Sequence, residues 1–232
     1  MKIIKNEKLI KRNSTIGQWL SLGALVVLGL GMYISFAKPE LFTYSLICLV
    51  VGFAMTQVGM YMGSRWGRSP RPDEKIDSGL KGTHSEFTLY HYATPAAHLL
   101  VGPAGVYALL PYHQKGNVTF EKNRWKLKGG GFLQGYMRIF GQEGLGRPEI
   151  DAESEVATMR KFFSKNMDEA NIPEVKAILV FTSDEVELEA GDSPIPAMKL
   201  KQLKEYLRQN SKTRALNQDK INLINSIIAT HN

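Results

Sequence analysis

Two uncharged apolar runs stand near the start of the chain, and shorter periodic patterns fill the rest. The first, Ile16–Ala37, reads IGQWLSLGALVVLGLGMYISFA, and the second, Leu41–Gly63, reads LFTYSLICLVVGFAMTQVGMYMG. A hydrocarbon core of about 30 Å takes about 20 helical residues, so each run is long enough to cross one. Lys38-Pro39-Glu40 leaves room only for a tight antiparallel turn, with the proline stopping the first helix and both charges outside the bilayer. A second run follows the first at once, which predicts a retained anchor rather than a cleaved signal peptide. Gln18, Thr56 and Gln57 are the main polar groups, and no ionisable residue lies mid-span, so transport or proton relay has little support. Gly23, Gly29, Gly31, Gly52 and Gly59 would allow close helix packing, within the hairpin or between chains of a homo-oligomer.

Beyond residue 72 the pattern changes to that of an α/β domain. Asp73–Lys81 predicts a short helix with Ile76 and Leu80 on one side. Glu86–Tyr92 has high β-propensity. Ala97–Val101 and Val106–Leu110 are apolar runs joined by Gly102-Pro103-Ala104-Gly105, a tight turn between two strands. Asn117–Glu121 and Arg124–Lys128 read as a hairpin around Lys122-Asn123. The Gly129–Pro148 stretch carries little pattern and predicts a long loop. Val156, Met159, Phe163 and Met167 recur at helical spacing over Asp151–Met167, with Asp151, Glu153 and Glu155 near the positive end of the helix dipole. Val175–Phe181 is a continuous apolar run, as a strand buried on both faces would be, and Val186–Leu188 adds a short one. Ala197–Asn210 predicts a helix with Leu200, Leu203 and Leu207 inward. Asn217–Thr230 predicts another, with Ile221, Ile224, Ile227 and Ile228 inward. The order gives an α/β fold with a mixed central sheet: antiparallel strands first, then a crossover helix and a central strand.

Charge adds the topology. The formal net charge is +7, but much of the basic excess flanks the apolar runs. Lys2, Lys5, Lys8, Lys11 and Arg12 precede the first run, Arg65, Arg68 and Arg71 follow the second, and only Lys38 lies between. The positive-inside rule then places both termini in the cytoplasm of a two-span inner (plasma) membrane protein. Trp19 and Trp66 fall near the cytoplasmic interface. Lys8, Lys11, Arg12, Arg65, Arg68 and Arg71 are the residues expected to meet anionic lipid head groups. Four segments follow: a basic flank over 1–15, a transmembrane hairpin over 16–63, a basic linker over 64–72 and a cytoplasmic domain over 73–232.

Few motifs carry chemistry. The single cysteine, Cys48, excludes an internal disulfide and a Cys/His zinc cluster. Gly141, Gly144 and Gly146 follow no clear strand, so they are weak as a nucleotide motif, and no P-loop is present. Arg124, Lys126 and Lys128 share one strand face opposite Trp125 and Leu127 and could meet phosphates, although polar-out alternation is ordinary in antiparallel sheets. Lys199, Lys201, Lys204 and Arg208 read equally as the wet side of a helix.

His98–Gly116, HLLVGPAGVYALLPYHQKG, resembles the nuclease-related domain (NERD) family of the restriction-endonuclease-like PD-(D/E)xK group. Trp125 after the hairpin, the helix after Pro148, and Val175–Leu188 before a lysine-rich helix extend the resemblance over roughly residues 74–210. It implies a restriction-endonuclease-like fold. It also implies an acid before the first apolar strand and an acid-x-lysine ending the next. Those positions fall on Ala97, Leu110 and Tyr112. Two carboxylates would hold Mg²⁺ and the lysine would stabilise negative charge, none of which these three side chains can do.

The resulting expectation is a membrane-anchored, catalytically inactive nuclease-related domain that binds nucleic acid or a protein, with no cofactor. The alternatives are a metal-dependent nuclease with a rearranged Mg²⁺ site, for which His98, His113, Glu74, Glu86, Glu121 and Asp151 are in the domain and His113 with Glu121 or Glu86 is the conceivable set, and a membrane scaffold with no nucleic-acid role.

Overall fold

The computed structural model describes residues 1–128, 144–212 and 216–231. It forms two compact units, one of Met1–Asn6 with Pro72–Asn232 and the other of Glu7–Arg71.

The larger unit is built on a six-stranded mixed sheet of order β1-β2-β3-β4-β7-β9. Its strands are β1 (Lys2–Lys5), β2 (Thr88–His91), β3 (His98–Gly102), β4 (Gly105–Tyr112), β7 (Val175–Phe181) and β9 (Ala197–Lys199). β2, β3 and β4 run antiparallel in succession, whereas β1 pairs parallel to β2, β7 to β4, and β9 to β7. A second sheet, of order β6-β5-β8, joins the hairpin of β5 (Gly116–Glu121) and β6 (Arg124–Lys128) to β8 (Val186–Glu189).

Helices cover both faces of the large sheet because β4 and β7 are apolar on both sides. Against one face lie α3 (Pro72–Gly79) and α5 (Leu200–Ser211), whose Ile76, Leu203 and Leu207 pack on Leu89, Leu100, Leu109 and Ile178. Against the other lie α4 (Pro148–Asn166) and α6 (Gln218–Thr230), whose Met159, Phe163, Ile221, Ile224 and Ile228 meet Tyr90, Leu99, Val101 and Val175. A third cluster joins the small sheet to β4 and β7 through Val118, Trp125, Leu127 and Phe181.

The turns follow their sequences. Gly102 is required by a close approach: a Cβ there would meet the Phe87 ring at 2.2 Å. Lys122 and Asn123 both adopt positive φ, 51° and 61°, the conformation whose twist suits a two-residue hairpin.

Several expectations are corrected. Residues 1–15 do not form one flank: Lys2–Lys5 is an edge strand of the sheet, and the chain turns helical at Glu7. An isolated four-residue KIIK run has too few residues to show a period, so only its pairing with β2 reveals it. Ala197–Asn210 is not all helix, because its first three residues add to β7 as β9. Ile227 is only half-buried, so the inward face of α6 is carried by the other three isoleucines. The expected Gly129–Pro148 loop falls mostly outside the described residues, as do Gly141 and part of its glycine motif.

The smaller unit is a helical hairpin of α1 (Glu7–Ala37) and α2 (Phe42–Met62), joined by a single turn at Pro39–Leu41. Both helices are long and apolar enough to cross a membrane. Their large side chains, including Leu25, Val26, Phe36, Leu49 and Phe53, are exposed, unlike those of a soluble core helix. Glycines set the hairpin's close packing. A Cβ on Gly31 would lie 2.7 Å from Cys48 Cβ, and one on Gly52 would lie 2.6 Å from Leu28. Ser45 Oγ donates to the Gly31 carbonyl across the pair at 2.8 Å. Gly29 has nothing within 4 Å of its Cβ position.

Candidate functional site

Ala97 immediately precedes β3, whose Leu99 lies opposite Ala108, and Leu110 and Tyr112 follow along β4 toward that same end. Leu110 and Tyr112 are both buried, at 8% exposure. The three positions singled out by the family resemblance therefore gather at one end of the sheet. Helix α4 brings two carboxylates to this end, one helical turn apart. Tyr112 Oη donates to Asp151 Oδ2 at 3.0 Å, and the Ala97 N–H donates to Glu155 Oε2 at 3.2 Å. The Tyr112 ring stacks on Phe181 at 5.5 Å. Burial, reinforced by the Asp151 charge, drives the phenol far above its ordinary range, so Tyr112 is a neutral donor.

These residues do not fit Mg²⁺. Alanine and leucine offer no side-chain donor, and Asp151 and Glu155 each already accept a hydrogen bond. Among the described residues, no three His, Cys, Asp or Glu side chains come together to hold a metal. The relocated site considered for His98, His113, Glu74, Glu86, Glu121 and Asp151 is thus not assembled among them.

The alternation of β6 is as expected, with Arg124, Lys126 and Lys128 exposed and Trp125 turned toward Phe120 and Phe181. The same face carries acidic side chains as well. Glu121 bridges Lys126 at 2.9 Å and Lys128 at 3.3 Å. Strand β8 adds Glu187 and Glu189 in register with Asn117 and Thr119, the partners of Lys128 and Lys126. The hydrogen bonds from Lys126 and Lys128 hold the Glu121 carboxyl below its usual range.

Sequence reasoning missed a buried polar row. Lys5, His91 and His98 are successive register partners across β1, β2 and β3. Helix α3 covers them with Asp73 and Asp77, spaced one turn apart. Lys5 Nζ pairs with Asp73 at 3.1 Å and with Asp77 at 2.5 Å. His91 Nε2 lies 2.9 Å from Asp77 Oδ1, and His91 Nδ1 lies 2.7 Å from His98 Nδ1. Asp73 and His91 are fully buried and His98 is nearly so. Burial opposes the charge on Asp77, but hydrogen bonds from His91 and Lys5 prevail and lower its pKa. Burial likewise opposes the Lys5 ammonium, and hydrogen bonds to Asp77 and Asp73 prevail and raise it. The available signal was the i,i+4 aspartate pair on a short helix; its cation comes from the far side of two apolar helices in sequence.

The residues expected at lipid head groups lie at the ends of the hairpin unit. Lys8, Lys11, Arg12 and Arg68 are exposed, while Arg65 and Arg71 are half-buried. Arg65 donates to Tyr61 Oη at 2.8 Å and lies over the Trp66 ring at 5.2 Å.

Fold and site together define a mixed α/β domain in a chain with two helices long and apolar enough to cross a membrane. No family model, curated protein or solved structure matches the chain.

Proposed function

We propose that this is a membrane-anchored, non-catalytic member of the nuclease-related (NERD) group whose α/β domain is a binding module at the cytoplasmic face of the inner membrane. The observation that carries this reading is the gathering of Ala97, Leu110 and Tyr112 at one sheet end, where the neighbouring carboxylates are bonded to an amide and a phenol. Folds outlive chemistry when function moves to another surface. The charge balance around Glu121 favours a protein partner over nucleic acid, since two of the three strand cations are already paired.

Anchoring rests on the two long apolar helices and their exposed side chains. The β1–β2 pairing bears on topology as well. If the hairpin crosses a bilayer, the residues before it and the domain after it fold into one sheet, so both lie on the same side. The flanking lysines and arginines favour the cytoplasm as that side.

The test uses the full chain in lipid nanodiscs, with labelled single- and double-stranded DNA and RNA at two salt concentrations, with and without Mg²⁺. No cleavage and only weak, salt-independent retention is the expected result. Tight binding that weakens steeply with salt would shift the partner to nucleic acid. Cleavage abolished by EDTA would overturn the non-catalytic reading.

A further inference from the structure

We infer that the Asp77–His91–His98 row is an acid-sensitive clasp, holding the segment that enters the first apolar helix to the segment that leaves the second. Lys5 sits two residues before α1, and Asp73 and Asp77 lie on α3, the next α-helix after α2. The row fastens these segments within one packed unit, through β2 and β3.

Hydrogen counting gives the sensitivity. Asp77 is an acceptor, so His91 Nε2 carries the hydrogen toward it. The two facing Nδ1 atoms are 2.7 Å apart, a distance that needs one hydrogen between them. One hydrogen is present there when the pair is neutral and when it holds a single extra proton. With both rings protonated, two N–H groups point at each other across that gap, and the contact cannot persist. Lys5, the register neighbour of His91, adds a third cation beside the pair.

Asp73 and Asp77 face the pair from α3 and Lys5 from β1. The Tyr92 ring stands edge-on to His98 at 5.0 Å, and Glu155 of α4 bonds the amide of Ala97, next to His98. The opened row takes up a proton that the closed row cannot, so stability falls as pH falls through the histidine range. Asp77 titrates lower, because its pKa is depressed, so its own loss belongs to a more acidic window.

Hydrogen exchange of the full chain in nanodiscs of phosphatidylcholine and phosphatidylglycerol tests the clasp, corrected for intrinsic exchange rates. Protection of residues 72–80 and 88–91 is expected to fall below about pH 6, steepening toward about tenfold per pH unit near pH 5. His98→Gln removes one titrating ring, and its amide can turn its oxygen to accept from a protonated His91, so closed and opened rows take up the same single proton and protection is expected to stay flat over the same range. Flat protection in the natural chain, or a parallel fall in His98→Gln, would overturn the inference. If that variant fails to fold, ring-¹⁵N spectra of the natural chain decide. Uptake of at most one proton by the pair while protection persists supports the clasp, and uptake of two sinks it.

Discussion

Tyr112 of β4 donates its phenolic hydrogen to Asp151 of α4 at 3.0 Å, which ties the helix to the end of a central strand. The residue sits at 8% exposure where the family resemblance asks for a lysine. Tyr112→Phe removes the bond and leaves Asp151 to water, costing about 1 kcal/mol. Tyr112→Ala also empties the space against Phe181 and costs about 3–5 kcal/mol. Urea unfolding of the full chain in detergent, followed by fluorescence, separates the two; equal costs would mean that the ring is not packed.

Residues 73–232 expressed alone lack β1. The edge of β2 is then bare, and fully buried Asp73 loses its Lys5 partner. We expect this fragment to aggregate or to show poor protection over β2. Residues 1–6 joined to it by a flexible linker should restore both. A well-behaved, fully protected fragment would show that β1 contributes little.

Lys5→Met leaves two carboxylates beside His91 without their ammonium. Removing one partner of a buried pair costs several kcal/mol, and the 19% exposure of Lys5 brings this to roughly 2–4 kcal/mol. The pH dependence follows from the shifts. The depressed Asp77 contributes stability above its ordinary value near 3.8, lost as pH falls through its lower folded value. The raised Lys5 contributes stability below 10.5, lost as pH rises through its higher folded value. Lys5→Met should remove the alkaline loss and reduce the acid one. Unchanged limbs in pH-dependent urea melts would contradict the pairing.

In the hairpin, Gly52→Leu and Gly31→Leu would drive side chains into Leu28 and Cys48, whereas Gly29→Leu meets open space. The first two should lower thermal stability in detergent by several degrees or more, and Gly29→Leu should leave it unchanged. A loss of oligomers from Gly29→Leu alone, in crosslinking of the full chain, would instead mark that face as a contact between copies.

Elements with their own period were legible: the two apolar runs, the β3–β4 turn, the β5–β6 hairpin, the amphipathic helix expected over 151–167 and found over 148–166, and the doubly buried β7. Each writes its environment into consecutive residues. The Lys5–His91–His98 row was not legible, because both apolar helices separate Lys5 from the two histidines, and only strand register sets all three side by side. Asp151 and Glu155 read as dipole-favouring residues, and their bonds to Tyr112 and Ala97 depend on how α4 crosses the sheet end.

The sequence by itself determined where the chain is long and apolar enough to cross a membrane, and that an α/β domain follows. Length, period and charge are local quantities. Only the tertiary structure decided that residues 2–5 belong to that domain, that Glu121 pairs with Lys126 and Lys128, and that two histidines meet nitrogen to nitrogen. Those facts depend on strand register and on which helix covers which face, and distant segments set both together.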